Sequence, residues 1–245
     1  MLLEKMLQSQ GFGSRKHCQQ LIKNAAIEID GQIITDPKHK LKLDALHFNV
    51  HGKSFEYREK VYIALNKPQG YECSHQATHH FSVFDFFDDV LLNRGIQCVG
   101  RLDQDTTGLL LLTDDGQFLQ ALTHPKKHVA KVYRMKTADT VTDEQIQQLE
   151  QGVELRNEKG SFAATDVKRL AECELQMTVH QGVYHQVKRM LAAVGNKVES
   201  LHRLQIGALD LTGIPDLVEG RWIYLNAEQV ALAKTRNDLE SKGSL

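Results

Sequence analysis

The chain has 245 residues, of which 41% are hydrophobic and 25% are charged, and its formal net charge is −1. This length permits one large domain or two small ones with a real core, and near-neutrality excludes the binding of a polyanion by bulk charge alone. The first sixty residues are nevertheless basic, with 10 Lys and Arg against 7 Asp and Glu. Any affinity for nucleic acid should therefore come from local clusters of basic side chains.

Cysteine usage and apolar patterning indicate where the protein works. The four cysteines are Cys18, Cys73, Cys98 and Cys173. They are scattered, and none forms the Cys-x-x-Cys pair that zinc or redox chemistry uses. No apolar run approaches the roughly 20 residues of a membrane helix. We therefore expect a cytoplasmic protein that does not enter a membrane.

The N-terminal region, up to about residue 56, predicts two short helices and two hairpins. Residues 2–10 place apolar side chains at an i, i+4 spacing that favours an amphipathic helix. A second helix should follow, capped by Ser14 and with Ile22 on its buried face. Asp-Gly at 30–31, between alternating apolar and polar residues, predicts a tight hairpin, and His-Gly at 51–52 predicts another.

The rest of the chain predicts a larger domain of mixed structure. The charged run at 56–60 has no apolar periodicity, which is typical of a linker. Predicted strands are 61–65, 109–112, 129–135, 174–179 and 206–211, and the clearest predicted helices are 143–149 and 184–194. Because strands and helices do not alternate regularly, an α+β fold is favoured over a doubly wound one. The predicted divisions are a domain at 1–56, a linker at 57–61, a domain at 62–236 and a polar tail at 237–245.

Residues 100–103, Gly-Arg-Leu-Asp, stand shortly before the aliphatic strand at 109–112. An acid in such a place loses water on one side, so its charged form needs a cation or several hydrogen-bond donors nearby. Catalytic acids are often housed in this way. The alternative is an ordinary solvated loop. After the strand, Asp-Gly at 115–116 predicts a turn.

Four segments resemble the signatures of the pseudouridine synthases and occur in that family's order. They are 65–71 (Leu-Asn-Lys-Pro-Gln-Gly-Tyr), 100–116, 131–133 (Lys-Val-Tyr) and 182–196. The run His-Gln-Val-Lys-Arg-Met at 185–190 and the triplet Leu-His-Arg at 201–203 are most similar to the small-ribosomal-subunit branch of the family. The resemblance implies a mixed, mainly antiparallel sheet with flanking helices and a central cleft.

The N-terminal region resembles an S4-type RNA-binding domain, in which two helices and a hairpin present a basic surface to structured RNA. Ser14, Arg15 and the first hairpin match that pattern, whereas residues 2–4 and Ala25 depart from it. The resemblance implies that Arg15 and Lys16 contact the RNA backbone. The alternative is that both side chains are merely solvated.

The resemblance also implies roles for individual residues. Asp103 would be the catalytic aspartate, acting in its ionised form as nucleophile or as base at the sugar. Lys188 matches the basic residue that pairs with this aspartate, although Arg189 could share or take that role. Tyr133 matches the tyrosine that packs on the target base. Arg101 matches the residue that fills the gap left by the extruded nucleotide or binds its phosphate.

Further contacts to substrate or RNA are expected from Lys67, His185, Gln186 and Arg189. Pseudouridine formation needs no redox change and no external group, so the resemblance implies no cofactor. The histidines at 75, 79, 80, 124 and 128 match no metal-ligand spacing, and no metal site is expected.

The sequence therefore predicts a ribosomal RNA pseudouridine synthase that acts as a monomer on small-subunit RNA or on an assembly intermediate. Two alternatives stay open. A hydrolase of glycosidic bonds could pair Asp103 with Asp105 or Asp114, and it would release free base. A non-catalytic S4-type assembly factor could carry the catalytic motif as a relic.

Overall fold

The computed structural model describes residues 1–124 and 127–235. The chain forms two compact units, one of Met1–Val61 with Phe84–Gln97, and one of Tyr62–Val83 with the chain from Cys98 onward. The predicted domain bounds stay predictions, and the predicted tail at 237–245 lies outside the described residues. The segment Phe84–Gln97, which falls inside the predicted catalytic domain, packs with the first unit.

The described part of the first unit combines short helices with a small sheet. Its elements are α1 (Leu3–Ser9), α2 (Arg15–Lys23), α3 (Asp89–Leu92), β1 (Ile27–Ile29), β2 (Gln32–Ile33), β3 (His47–Val50) and β4 (Lys53–Glu56). The strands form an antiparallel sheet in the order β2-β1-β3-β4. Asp30 and Gly31 have φ values of 50° and 76°, as a tight hairpin turn requires. The two predicted helices and two predicted hairpins are therefore present.

Capping and apolar packing explain why the two N-terminal helices form. The Ser14 hydroxyl accepts a hydrogen bond from the His17 amide at 3.3 Å and so caps α2. Leu7 and Ile22 are completely buried, in one core with Phe48 of β3. Burying one such side chain contributes about 1.5–3 kcal/mol. Packing against the sheet thus stabilises helices that are too short to form alone.

The second unit holds the larger sheet and its flanking helices. Its elements are β5 (Tyr62–Lys67), β6 (Tyr71–Glu72), β7 (Phe81–Ser82), β8 (Gln97–Cys98), β9 (Thr106–Thr113), α4 (Gly116–Thr123), β10 (Lys131–Thr137), α5 (Asp143–Gln151), β11 (Val153–Glu154), β12 (Ser161–Phe162), β13 (Thr165–Ala171), β14 (Glu174–Val179), α6 (Gln186–Ala193), β15 (Val198–Ile206), β16 (Leu209–Asp210), β17 (Trp222–Tyr224) and α7 (Ala227–Ala233).

The large sheet is mixed and mainly antiparallel, as the resemblance implied. Its strand order within the described residues is β13-β14-β10-β15-β9-β5-β17, with β16 added beside β15 and β8 beside β9. Strands β9 and β15 run parallel, whereas the other neighbours along this path are antiparallel. Phe118 of α4 and Val230 of α7 share a core with Leu109 and Leu111 of β9. The predicted α+β class is confirmed.

A glycine permits the close approach of the two parallel strands. Gly108 of β9 has φ +101°, and a Cβ atom at this position would lie 2.3 Å from the carbonyl oxygen of Arg203 in β15. No side chain larger than hydrogen fits there without moving a strand. The Arg203 side chain reaches the same strand, because its Nε donates to the Leu109 carbonyl at 2.7 Å. Glycine at position 108 therefore allows β15 to pair closely with β9, and this pairing places Arg203 in the interior of the sheet.

Three predicted elements differ from the observed ones. The helix predicted at 184–194 begins at Gln186, because the backbone of His185 has a left-handed conformation with φ 50°. The predicted turn at 115–116 is instead a helix start, in which the Asp115 carboxylate caps α4 by accepting from the Gln117 amide at 2.9 Å. The strand predicted at 206–211 is divided between β15 and β16 by Gly207, whose φ is +58°.

Candidate active site

The site is built on the loop between β8 and β9, which several buried contacts hold in place. Lys67 at the end of β5 is completely buried. Its ammonium donates to the carbonyls of Thr106, Pro68 and Gln104 at 2.7, 3.1 and 3.3 Å. Nearby, the Leu102 amide donates to the sulfur of Cys73 at 3.4 Å. The loop that carries Asp103 is therefore held in place by the buried Lys67 ammonium and by a partly buried contact to the Cys73 sulfur.

Asp103 lies between two basic side chains. Lys188 Nζ is 3.0 Å from its Oδ2 atom, and His185 Nε2 is 3.2 Å from its Oδ1 atom. The Asp103 side chain is 30% exposed, so it remains accessible to a ligand. Lys188 also contacts Asp105 Oδ1, at 2.7 Å. One ammonium thus serves two carboxylates of the same loop.

The structure distinguishes Lys188 from its neighbour Arg189. The Arg189 guanidinium donates to Glu158 at 3.0 Å and to the Tyr184 carbonyl at 3.1 Å, away from the Asp103 loop. Burial lowers the pKa of Lys188, but its bonds to Asp105 and Asp103 outweigh that effect and leave the pKa above its usual value. Lys188 therefore stays charged at neutral pH and compensates for the water that the carboxylates have lost.

The position of Lys188 follows from the apolar pattern of α6. Val187, Met190, Leu191 and Val194 are all buried, at the i, i+3, i+4, i+7 spacing seen in the sequence. Lys188 flanks that stripe, and its side chain is 25% exposed. The left-handed backbone at His185, directly before the helix, accompanies the contact of its ring with Asp103. The start of α6 therefore supplies both basic partners of the aspartate.

Asp103 borders a cavity of about 190 Å³. Other residues of its wall include Arg101, Tyr133, Lys131, His180, Lys188 and Arg203. This volume is below the range of roughly 300–1,000 Å³ that is typical of sites for drug-sized ligands. The cavity therefore suits a group the size of one heterocyclic ring, and it corresponds to the central cleft that the resemblance implied.

Arg203 is a site residue to which the sequence alone assigned no role. It is 2% exposed, its Nη1 donates to the Tyr133 hydroxyl at 3.3 Å, and its guanidinium carbon lies 5.9 Å from the centre of that ring. Arg203 and Tyr133 are also direct partners in the pairing of β15 with β10. The guanidinium therefore fixes the orientation of the tyrosine. The only sequence signal was an arginine inside the triplet 201–203, in a strand that no local pattern predicted.

The structure corrects the expectation for Lys67 and places the other predicted contact residues. Lys67 is completely buried with its ammonium on three carbonyls, so it offers no surface to RNA. Gln186 is 5% exposed and its side-chain oxygen accepts from the Val183 amide at 3.3 Å, so it serves as wall of the cavity. Arg101 is exposed beside the cavity. Arg15 and Lys16 are exposed on the first unit, and Arg15 also contacts Glu4 at 2.9 Å.

Neither a cluster of metal-ligating side chains nor a membrane-spanning helix is found in the described part of the chain. Within residues 1–124 and 127–235, no cluster of three His, Cys, Asp or Glu side chains has an arrangement suited to a metal ion. Every helix in the same ranges is too short or too polar to traverse a bilayer.

Comparison with known proteins agrees with this geometry. Residues 61–193 match the family model described as RNA pseudouridylate synthase, and residues 1–46 match the S4 domain model. The chain therefore belongs to the RNA pseudouridylate synthase family, a family of isomerases, and it carries an S4 domain at its N-terminus.

Particular relatives cover almost the whole chain. Ribosomal small subunit pseudouridine synthase A of Vibrio cholerae serotype O1 is 37% identical over 231 residues, which are 94% of this chain and 98% of that protein. The protein of the same name from Escherichia coli strain K12 is 36% identical over 238 residues. A crystal structure of a pseudouridylate synthase matches with 34% identity and a TM-score of 0.66, covering 95% of this chain and 99% of the other.

Proposed function

We propose that this protein converts a specific uridine of small-subunit ribosomal RNA to pseudouridine, with Asp103 as the catalytic carboxylate. The observation that carries the proposal is an accessible aspartate, held by Lys188 and His185, at the edge of a ring-sized cavity. The names of the two ribosomal relatives support small-subunit RNA as the substrate. A monomer working in the cytoplasm on free RNA or on an assembly intermediate stays a prediction.

The proposed reaction follows from the groups around the cavity. The target nucleotide leaves its stack, because the glycosidic bond is inaccessible within a helix. Asp103 acts at the sugar as nucleophile or base, the bond to the ring nitrogen breaks, and the base rotates and rejoins through carbon. Tyr133 packs on the base, Arg101 occupies the vacated space or binds a phosphate, and Lys188 holds the Asp103 carboxylate in position.

The arrangement of the acids disfavours the hydrolase alternative. Asp103 and Asp105 both contact the single Nζ atom of Lys188, at 3.0 and 2.7 Å. Their two contacting oxygens therefore lie within about 6 Å of each other, closer than the roughly 6.5–9.5 Å that separates the carboxyl groups of an inverting glycosidase. Asp114, at the end of β9, is not among the residues that line the cavity.

The first test replaces Asp103 by Asn, which keeps the size of the side chain and removes its charge. Small-subunit RNA transcripts and assembly intermediates are incubated with each protein, and pseudouridine is mapped by carbodiimide-dependent stops of reverse transcription. We expect a new stop with the wild type and none with Asp103→Asn, while RNA affinity by filter binding is unchanged. The effect on rate should exceed about 10³-fold, since the carboxylate has no substitute in the cavity.

Asp139→Asn is the matched control, because Asp139 is exposed and does not line the cavity. It should retain the wild-type stop. Turnover of Asp103→Asn near the wild-type rate would eliminate Asp103 as the catalytic group. Release of free uracil by the wild type would favour the hydrolase, and binding without either product would favour the assembly factor.

A further inference from the structure

Two cations of the cavity wall, the partly buried Lys131 and the buried Arg203, contact no carboxylate among the described residues. Lys131, at the start of β10, is partly buried, and the hydrogen bond of its ammonium within the described residues goes to the Val129 carbonyl at 3.0 Å. Arg203 is 2% exposed and donates to the Leu109 carbonyl and to the Tyr133 hydroxyl. Its remaining terminal nitrogen, Nη2, is buried with no hydrogen-bond partner among the described residues.

The acidic groups near the cavity are already engaged. Among the described residues of the cavity wall, Asp103 is the one acidic side chain. Its two oxygens contact His185 and Lys188. Burying a cation without a counter-ion is costly, and an anionic ligand in the cavity would offset that cost. The Lys131 and Arg203 side chains therefore give the cavity an uncompensated positive charge.

The surroundings of Lys131 agree with this charge balance. Burial, with a smaller contribution from the positive charge of Arg203, lowers the pKa of Lys131 to about 8. His180 at the end of β14 and His128 in the loop before β10 are the other titratable groups on the wall nearby. Burial and the charge of Lys131 lower the pKa of His180, so its ring is neutral at pH 7. Lys131 remains mostly protonated at that pH.

The proposed isomerisation produces an anion in this space. When the bond between the sugar and N1 of the base breaks heterolytically, the electron pair stays on the ring. The negative charge is then shared between N1 and the two carbonyl oxygens. The ring must turn, use an electron pair at C5 to form the new bond to the sugar, lose the C5 proton and gain a proton at N1. Atoms and electrons balance, and the anionic ring must be retained throughout.

We propose that Lys131 and Arg203 form an anion site that holds the detached uracil ring as it rotates. This inference rests on the proposed function and deepens it. It assigns a role in the same reaction to Lys131 and Arg203, neither of which holds Asp103 in place. Lys131 touches the ring and acts as a catalytic residue, whereas Arg203 acts on the ring and also positions Tyr133. Lys131 is the better test, because replacing Arg203 would disturb the β10–β15 pairing.

The kinetic test compares Lys131→Met, Lys131→Arg and the wild type. Lys131→Met should lower the single-turnover rate about 10²-fold, the loss typical of removing one donor to a developing anion, with RNA affinity unchanged. Lys131→Arg should keep the rate within about tenfold of the wild type, because the charge is retained. Lys136→Met is the control, since Lys136 lies on the same strand but is exposed and outside the cavity.

The pH dependence gives a second signature. The protonated form of Lys131 is present below its pKa of about 8, so kcat/KM of the wild type should fall as the pH rises through 8. An arginine stays charged in this range, and the fall should move to higher pH in Lys131→Arg. An unshifted profile would count against Lys131 as the titrating group.

A binding measurement separates this inference from the proposed function. 5-Nitrouracil loses a ring proton near neutral pH, whereas uracil does not, and the affinity of both for the protein can be measured by calorimetry. The wild type and Lys136→Met should prefer the anion at least tenfold, and Lys131→Met should lose that preference. If the wild type makes no pseudouridine but keeps the preference, the proposed function fails and the anion site stands.

Two results would overturn the inference. One is an active wild type whose Lys131→Met variant has the same single-turnover rate and the same ligand preference. The other is a Lys131→Met variant that loses only RNA affinity, with a weaker salt dependence, which would make Lys131 a phosphate contact instead.

Discussion

Lys67 shows that the burial of a lysine decides whether it can contact RNA or only support the fold. The sequence placed this lysine among the RNA contacts, because it lies in a family segment. In the structure its ammonium bonds three carbonyls and organises the Asp103 loop. Burial lowers its pKa to about 8 from the usual 10.5. Its contribution is therefore to the stability and geometry of the loop.

Replacing Lys67 by Met should destabilise the protein by about 2–4 kcal/mol, because it leaves buried carbonyls without donors. Chemical denaturation measures the difference, and Lys60→Met, at an exposed position, should stay within about 0.5 kcal/mol of the wild type.

The stability of the protein should also depend on pH through Lys67. The pKa of Lys67 is lower in the folded protein than in the unfolded chain, so the unfolded chain binds more protons between about pH 8 and 10.5. The stability of the wild type relative to Lys67→Met should therefore rise with pH in that window. A flat difference would contradict the buried ammonium.

At the scale of elements, the pairing of β9 with β15 determines where Arg203 and Tyr133 lie. Strand β9 could be predicted from its aliphatic run, and α6 from its apolar stripe. Of strand β15 only the last residue, Ile206, lay within a predicted strand, because Val198–Ile206 mixes charged and apolar residues without alternation and is held by neighbours distant in sequence. Propensity and pattern describe local preference, whereas this strand depends on tertiary pairing. The role of Arg203 was missed for that reason.

A pair of glycine substitutions tests this pairing. Gly108→Ala should destabilise the protein by more than about 2 kcal/mol, because the new Cβ would meet the Arg203 carbonyl at 2.3 Å. Gly116→Ala is the control, since it lies in the first turn of α4 and a Cβ there meets nothing within 4 Å. That change should be neutral or stabilising by about 0.5–1 kcal/mol. Equal stability of the two variants, measured by thermal unfolding, would refute the role given to Gly108.

At the scale of the whole molecule, we expect the basic side chains of the first sixty residues to provide the RNA affinity that the nearly neutral chain lacks overall. The sequence predicted its two helices and hairpins well, because caps and Asp-Gly turns are local signals. The sequence did not predict that Phe84–Gln97 joins this unit. Arg94 donates to Gln10 at 2.9 Å and to the Arg58 carbonyl at 2.8 Å. Such long-range contacts leave no periodic trace in a sequence.

Lys16→Ala is the cleaner test of RNA binding by this unit, because Arg15 also contacts the buried carboxylate of Glu4. Loss of one phosphate contact should weaken RNA binding and reduce the slope of log affinity against log salt by about one. Filter binding over a range of salt concentrations measures this, with Lys168→Ala, an exposed lysine of β13, as the control. An unchanged slope for Lys16→Ala would argue against the contact, and unfolding curves should show no loss of stability.

The return of the chain at Phe84–Gln97 has a practical consequence for anyone who would handle the N-terminal unit alone. A fragment ending near residue 61 would lose the Arg94 guanidinium from Gln10 and Arg58, and the Asn93 amide from the Gly11 carbonyl, to which it donates at 3.2 Å. Grafting this unit onto another enzyme would require transplanting two separate stretches. It is a discontinuous module, and its exchange between proteins by simple fusion is correspondingly difficult.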